Sequence, residues 1–267
     1  MGKLFLSVLW IALFGIELCC AEEFPLNKIS DWTPYKRTVQ SSDNTIRVIG
    51  KQLLFSAQTY PYDSGKAYRI LGEFKAAPGT KANYFSVGIQ PLDADKEPLS
   101  YHNVRTLAGS DTKLIADVKA TDTVIMIADG SKWRVNNSDV VAFHTDPQGK
   151  DLPNRNIIQL SPIKIQQKLA GWEVLFGKPV GVDLKSSTGV RLHPTGGNYR
   201  YAGYGSSAKG VMNPNCSTNL WDIGVKYFRV VVVANSEPLT SGDLRPELEM
   251  KDVRLEVSDL DNGSEIK

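Results

Sequence analysis

The sequence predicts an all-β protein, a jelly-roll β-sandwich interrupted by a small β-barrel-like or β-rich insertion. Three observations support this class. Apolar and polar residues alternate along many short segments, helical periodicity is nearly absent, and Gly and Pro separate the segments from one another. Many short strands between such turns are typical of sandwiches and barrels.

Two strands in the first half of the chain, residues 67–76 and 84–90, alternate most clearly. On each strand one face is apolar and the other is polar, which is the pattern of a half-buried strand. The polar face of the second strand carries Tyr84 and Gln90. The apolar faces consist of Tyr68, Ile70, Phe74, Phe85, Val87 and Ile89.

The last strands of the predicted sandwich are residues 227–235 and 248–257. In the first of these, Arg229 points away from the face that carries its apolar neighbours. If this strand and residues 84–90 belong to one sheet, Arg229 shares a polar-aromatic face with Tyr84 and Gln90. In the second strand the alternation slips by one residue near Asp252, which is the expected sequence pattern of a β-bulge.

Between the two halves lies an interval of about 90 residues, which is too long for a plain loop in a compact domain. It contains strand-like segments of its own, at residues 112–118, 122–127 and 171–174. The sequence therefore predicts an inserted β-subdomain over residues 106–194. The sandwich would then be discontinuous, formed by residues 22–105 and 195–258, with a flexible tail over residues 259–267.

The outer segments resemble the central and closing strands of jelly-roll carbohydrate-binding modules of the galactose-binding-like superfamily. The similarity covers about residues 24–105 and 195–258. It implies a two-sheet sandwich, commonly with a glycan-binding concave face and often with a structural calcium ion. Because Asp252 lies in the closing strand, the resemblance implies Asp252 as a calcium ligand. The inserted segment resembles small β-domains of exported and phage-tail-type proteins.

The first 21 residues have the order of a secretory signal peptide. Lys3 gives a short basic region, residues 4–18 are almost entirely apolar, and Cys19-Cys20-Ala21 offers small residues for cleavage. The apolar run is too short for a membrane anchor. No small-residue box precedes either cysteine, which argues against a bacterial lipoprotein. We therefore expect a secreted or extracytoplasmic protein, at the cell surface or in the periplasm, that begins at Glu22.

Charge and cysteine content exclude several functions. The net charge is +2 with basic and acidic residues intermixed, so no patch for nucleic acid is expected and no basic helix suggests membrane insertion. Two of the three cysteines lie in the signal segment. Cys216 then remains alone and cannot form an intramolecular disulfide. We expect a monomer that is stabilised by burial and by strand pairing.

Motifs for metal or nucleophilic catalysis are not evident. His102, His144 and His193 are isolated in the sequence, so a zinc site has no local support. A glycosidase needs two carboxylates about 5–9 Å apart, and the acidic residues here occupy turn-like positions where hydrogen bonding in turns is their ordinary role. The more serious enzymatic alternative is a polysaccharide lyase, in which Tyr101 and His102 with Arg105 would supply a base and a charge neutraliser.

Aromatic side chains provide the most specific hypothesis. Sugar rings stack on flat side chains, and sugar hydroxyls bind planar polar groups. We therefore interpret Tyr84 and Trp221 as stacking residues, with Gln90 and Arg229 as hydrogen-bonding partners. The favoured function is a non-catalytic protein that binds a polysaccharide or cell-surface glycan. The alternatives are a structural or adhesive scaffold, and a polysaccharide lyase or an accessory protein of a glycoside hydrolase.

Overall fold

The structure is a computed structural model that describes residues 21–34, 36–40, 43–80, 84–206, 216–217, 223–236 and 245–259. Within these ranges the chain forms nineteen strands, one four-residue α-helix and one 3-10 turn. The all-β prediction is therefore confirmed. Residues 1–20 of the expected signal peptide, residues 260–267 of the expected tail and Trp221 lie outside the described residues.

The helical elements are the 3-10 turn Ile29–Asp31 and α1 (Tyr101–Val104). The strands in chain order are β1 (Glu22–Pro25), β2 (Trp32–Thr33), β3 (Thr38–Gln40), β4 (Thr45–Ile49), β5 (Gln52–Ser56), β6 (Tyr60–Pro61), β7 (Lys66–Ala76), β8 (Tyr84–Leu92), β9 (Thr112–Lys113), β10 (Val124–Ile127), β11 (Asp139–Phe143), β12 (Ile157–Ile158), β13 (Pro162–Lys168), β14 (Gly171–Phe176), β15 (Gly189–Pro194), β16 (Arg200–Ser206), β17 (Cys216–Ser217), β18 (Tyr227–Ala234) and β19 (Glu247–Asp259).

Two antiparallel sheets form the sandwich. The first sheet has the order β17-β7-β19-β4-β3, with β1 added alongside β19, and the second has the order β16-β8-β18-β5-β2, with β6 added alongside β18. Consecutive strands repeatedly change sheet, as from β4 to β5, from β7 to β8 and from β18 to β19. This is the connectivity of a jelly roll, and it brings the inner faces of both sheets together.

The core between these sheets consists of the residues that alternation predicts. Phe74 of β7 stacks on Phe85 of β8 with ring centroids 5.0 Å apart, and Tyr68 meets Phe228 edge to face at 4.7 Å. Both pairs join one sheet to the other, so they fix the spacing of the sandwich. The buried core residues of β7, β8 and β18 are Tyr68, Ile70, Phe74, Phe85, Val87, Ile89, Phe228, Val230, Val232 and Ala234.

A β-bulge interrupts the closing strand where the alternation slips. The pairing of β19 with β7 shifts between Lys251 and Arg254, and Asp252 has a φ of 51°. The extra residue turns Val253 and Leu255 back into the core, where both are buried. The predicted bulge near Asp252 is confirmed.

Residues 106–194 contain two further sheets, a four-stranded one with the order β12-β11-β15-β9 and a three-stranded one with the order β10-β14-β13. Their facing sides bury a second hydrophobic cluster, which includes Leu114, Ile127, Val174 and Leu192. The Leu107 amide donates to the Leu192 carbonyl over 2.9 Å, so the chain leaves and returns at neighbouring points. The division into a sandwich and a separable subdomain stays a prediction.

A polar contact joins this second cluster to the sandwich. Asn103 of α1 and Asn154 exchange two hydrogen bonds, from Asn154 N to Asn103 O at 2.8 Å and from Asn103 Nδ2 to Asn154 O at 2.9 Å. Both residues are buried, so each bond satisfies a group that water cannot reach. The helix that follows the first half of the sandwich is thereby held against residues 106–194. In the described part of the chain no helix has the length and apolar character needed to cross a membrane.

Candidate functional site

The outer face of the second sheet carries a cluster of aromatic and polar side chains. Arg229 lies over the ring of Phe55, with its guanidinium carbon 3.8 Å from the ring centroid. The ring of Tyr199 is 5.9 Å from that of Phe55 and 6.2 Å from that of Tyr201. Gln90 completes the group through a bond to Arg229. We call Phe55, Gln90, Tyr199, Tyr201 and Arg229 the outer-face cluster.

Gln90 and Arg229 are brought together as their alternation predicts. They are directly opposite each other in the β8–β18 register, and Arg229 Nε donates to Gln90 Oε1 over 2.7 Å. Gln90 is only 2% exposed, so its side chain meets Arg229 and not solvent. Burial lowers the pKa of Arg229, which is half-buried and still charged at neutral pH. Among the described residues, the terminal nitrogens of Arg229 have no hydrogen-bond partner.

The ring of Tyr199 covers this face because Gly88 lacks a side chain. Gly88 lies on the outer side of β8, and a Cβ there would lie 2.0 Å from the carbonyl oxygen of Arg200. The start of β16 can therefore lie against β8, and its pairing shifts between Tyr201 and Gly203. Val231, which also faces outward, is fully buried in this arrangement. Sequence alternation could not predict that Tyr199 covers this face near Phe55, because residues 55 and 199 are far apart in the chain.

Tyr201 and Tyr84 remain accessible on the same side of the sheet. Tyr201 is 52% exposed next to Tyr199, and both burial and the neighbouring Tyr199 raise its pKa. Tyr84 is 43% exposed at the other end of β8. The distance along the strand from Tyr84 to Gln90 is about 20 Å at the usual rise per residue. Tyr84 therefore lies on the predicted face but away from the outer-face cluster.

A cleft adjoins the outer-face cluster where the sandwich meets residues 106–194. It encloses about 510 Å³ and is lined by Tyr101, Arg105, Thr195, Gly196, Gly197, Tyr199 and Arg200. We call this the junction cleft. Tyr199 belongs to the cleft and to the outer-face cluster, so the two form one continuous surface. None of the lining residues is a carboxylate or a histidine.

The wall of the junction cleft is shaped by Gly196 and by Tyr101, the first residue of α1. A Cβ at Gly196 would lie 2.4 Å from Cβ of Tyr101, so only glycine lets the tyrosine pack against this backbone. The Tyr101 amide donates to the Gly197 carbonyl over 3.2 Å. The guanidinium carbon of Arg105 is 5.9 Å from the centroid of the Tyr101 ring, within cation–π range. These contacts place one tyrosine and one arginine on the same side of the cleft.

His102 follows Tyr101 on α1, and whether it acts together with Tyr101 and Arg105 stays a prediction. His102 is not among the residues that line the cleft, and its ring bonds to the backbone of Gly196. Burial lowers its pKa. The carbonyl oxygen of His102 accepts a hydrogen bond from Nδ1 of His193 at 2.6 Å.

Sequence reasoning missed a buried polar centre on β15. Arg191 is 2% exposed and donates to His193 Nε2 at 3.0 Å, to Asp111 Oδ1 at 3.1 Å and to Asp151 Oδ2 at 2.7 Å. Its carboxylate partners compensate its buried charge. His193 is fully buried, and burial lowers its pKa to about 4. Strand alternation could have indicated this centre, because Arg191 and His193 point to one side of β15 and the apolar Leu192 points to the other.

A further cavity has a volume of about 440 Å³. It is lined by Asp111, Thr112, Lys113, Ala128, Thr145, Pro147, Ser187 and Gly189. Asp111 joins this cavity to the buried Arg191, which neutralises it. Several of the acidic residues interpreted as turn residues have that role. Asp93 Oδ1, for example, accepts from the amides of Asp95 at 3.0 Å and Glu97 at 2.9 Å.

The expected calcium ligand Asp252 lies at the wall of a cavity of about 490 Å³, together with Glu23, Pro25, Asn27 and Arg254. Asn27 Oδ1 is buried there without a hydrogen-bond partner. Arg254 Nε lies 3.3 Å from Glu23 Oε1 and competes with a cation for that carboxylate. Among the described residues no group of three His, Cys, Asp or Glu side chains could hold a metal. The oxygen donors fit a calcium ion in part, and the guanidinium opposes it.

Comparison with known proteins finds no matching family model, no similar curated protein and no similar solved structure.

Proposed function

We propose that this chain is a secreted, monomeric and non-catalytic protein that binds a polysaccharide or cell-surface glycan. The glycan lies across the outer-face cluster and enters the junction cleft. One observation carries the proposal: Tyr199 belongs to both, so an exposed aromatic surface continues into a cleft. An extended sugar chain needs such a continuous track, whereas a small ligand needs only a pocket.

The chemistry of the surface supports a carbohydrate ligand. The exposed ring of Tyr201 and the ring of Tyr199 offer flat faces to the C–H side of a sugar. Arg229 is held in place by Gln90 and Phe55, and its terminal nitrogens are available to sugar hydroxyls. Because the guanidinium is fixed before binding, little side-chain entropy is lost when it bonds to a ligand. Gln90 acts by positioning Arg229.

Tyr84 and Trp221 complete the proposal as further stacking residues. Tyr84 would contact a more distant part of the same sugar chain, since it is exposed at the far end of β8. Trp221 lies outside the described residues and keeps the role that the sequence suggests. Calcium at Asp252 would stabilise the sandwich away from the ligand, with Glu23 and Asn27 as further oxygen donors.

Binding is favoured over catalysis by the composition of the junction cleft. Glycoside hydrolysis requires two carboxylates, and none lines the cleft. A lyase would require a base beside a charge neutraliser; Tyr101 and Arg105 are close to each other, but His102 does not line the cleft. A structural or adhesive scaffold is the other alternative, and it requires no ligand at this surface.

The proposal is tested with the mature chain, residues 22–267, on a glycan array. We expect binding to at least one glycan, without release of sugar fragments over a long incubation. Tyr201→Ala should weaken the binding while leaving the melting temperature nearly unchanged, because the ring is exposed. Leu169→Ala, at an exposed position between β13 and β14, is the matched control and should bind like the wild type. Binding to no glycan would favour the scaffold, and cleavage would favour the enzyme.

A further inference from the structure

Among the described residues, the arginines of the junction cleft and the outer-face cluster lack the carboxylate partner that most other arginines have. A carboxylate oxygen lies within 4.0 Å of Arg47, Arg69, Arg134, Arg155, Arg191 and Arg254. In the part of the chain that the structure describes, Arg105, Arg200 and Arg229 have no such partner. Arg37 and Arg245 also lack one among the described residues, but neither lines the junction cleft. Two of these arginines line the junction cleft and the third belongs to the adjoining outer-face cluster, in a chain whose net charge is only +2.

This surface has no internal compensation for its positive charge. Arg105 and Arg200 line the junction cleft, and no lining residue is acidic. A cleft with low-dielectric walls concentrates the field of such charges and attracts an anion. A guanidinium binds a carboxylate through two parallel hydrogen bonds, a geometry that a single ammonium group does not offer.

The aromatic residues beside the arginines define the rest of the ligand. Arg105 is next to the ring of Tyr101, and Arg200 lines the same cleft as Tyr199. A ligand that satisfies both kinds of residue needs a flat apolar face and a carboxylate on the same unit. A uronic acid has both, because its pyranose ring presents C–H groups and its C5 substituent is a carboxylate.

We infer that the junction cleft selects an acidic glycan, a polysaccharide that contains uronic acid, and that Arg105 and Arg200 bind the carboxylate. The inference rests on the proposed glycan-binding function and adds the substrate class. Tyr101 and Tyr199 contact the ring of the acidic sugar. The outer-face cluster binds the next sugars of the chain, where Arg229 meets hydroxyl groups.

The inference is tested by titrating the mature chain with polygalacturonate and with the same polymer after full methyl esterification. The two probes share a backbone and differ in the charge of the carboxyl group. We expect the methyl ester to bind at least tenfold more weakly. Arg105→Gln and Arg200→Gln should each weaken polygalacturonate binding by about tenfold. Arg105→Lys should recover only part of the loss, because lysine lacks the planar fork.

Arg69→Gln is the matched control, since Arg69 is exposed on the first sheet and pairs with Glu256 at 4.0 Å. It should bind polygalacturonate like the wild type. Equal binding of polygalacturonate and its methyl ester, or no effect of Arg105→Gln and Arg200→Gln, would overturn the inference. If a sulfated galactan binds as tightly as polygalacturonate, the inference that the cleft selects a carboxylate is overturned.

Failure of the inference and failure of the proposed function give different results. If the inference alone is wrong, a neutral glycan still binds, Tyr201→Ala still weakens that binding, and the arginine variants have no effect. If the proposed function is wrong, neither polygalacturonate nor any neutral polysaccharide binds, whatever the variant. Melting curves of each variant show whether a loss of binding reflects unfolding.

Discussion

Arg229 and Gln90 are opposite each other on β18 and β8, and the arginine Nε donates to the glutamine Oε1 over 2.7 Å. The pair sits on the outer face of the sandwich, where Gln90 is buried and Arg229 is half-buried. Tyr199 and Phe55 provide that shielding, since their rings approach to 5.9 Å above the intervening strands. A polar pair enclosed in this way fixes the orientation of the arginine that we propose to contact the ligand.

Replacing Gln90 by Leu should therefore destabilise the protein. The change removes the acceptor of a half-buried guanidinium, and an unsatisfied polar group of this kind costs about 1–3 kcal/mol. We expect the free energy of unfolding in urea to fall by about that amount. Gln58→Leu is the control, because Gln58 is exposed. A variant as stable as the wild type would show that the pair contributes nothing to stability.

Gly88→Ala should disturb both the fold and the proposed site. The new Cβ would lie 2.0 Å from the Arg200 carbonyl oxygen, so β16 must move away and Tyr199 with it. Overpacking of this kind costs about 1–3 kcal/mol. We expect a lower melting temperature together with weaker glycan binding. Gly177→Ala, where a Cβ would meet nothing within 4 Å, should change neither property. Normal binding by Gly88→Ala would mean that the position of Tyr199 is unimportant.

Stability should decrease on mild acidification because of His193. Burial lowers its pKa to about 4, while the unfolded chain titrates near 6.5. Between these values the unfolded state binds the proton and the folded state does not, so stability is full above about pH 6.5 and is lost as the pH falls towards 4. The free energy of unfolding should fall by about 2 kcal/mol from pH 7 to pH 5. Burial lowers the pKa of His102 too and acts in the same direction.

The pH dependence is measured by urea unfolding at both pH values. His193→Gln should flatten the dependence, because glutamine does not titrate. His144→Gln should leave the dependence unchanged, since His144 is exposed. An equal loss of stability in wild type and His193→Gln would assign the effect to other groups.

Calcium should raise the melting temperature only modestly. Glu23, Asn27 and Asp252 supply few of the six to eight oxygens that calcium prefers, and Arg254 opposes the ion. For a dissociation constant of about 1 mM, 10 mM calcium stabilises by about 1.4 kcal/mol, or roughly 3–5 °C in a chain of this size. Asp252→Asn should abolish the shift. Melting curves that are identical with calcium and with chelator would remove calcium from the proposal.

The sequence predicted the parts of the fold that depend on local alternation. Phe85 and its neighbours in the core, the opposite orientation of Gln90 and the bulge near Asp252 all follow from side-chain parity. The alternation of side chains along a strand does not show which other segment of the chain packs on its faces. The contact of Phe55 with Tyr199, the position of β16 against Gly88 and the bond of His193 to the His102 carbonyl all join distant segments. Such contacts depend on the packing of the whole chain.

The most direct test of the proposed site is the affinity of Tyr199→Ala for a glycan that the wild type binds. Removing the ring that joins the outer-face cluster to the junction cleft should weaken binding by about 1–3 kcal/mol, roughly 5- to 160-fold. Tyr199→Phe keeps the flat ring and should retain most of the affinity, and Leu169→Ala should retain all of it. If Tyr199→Ala remains folded and binds as tightly as the wild type, the ligand does not lie on this surface, and the central claim is contradicted.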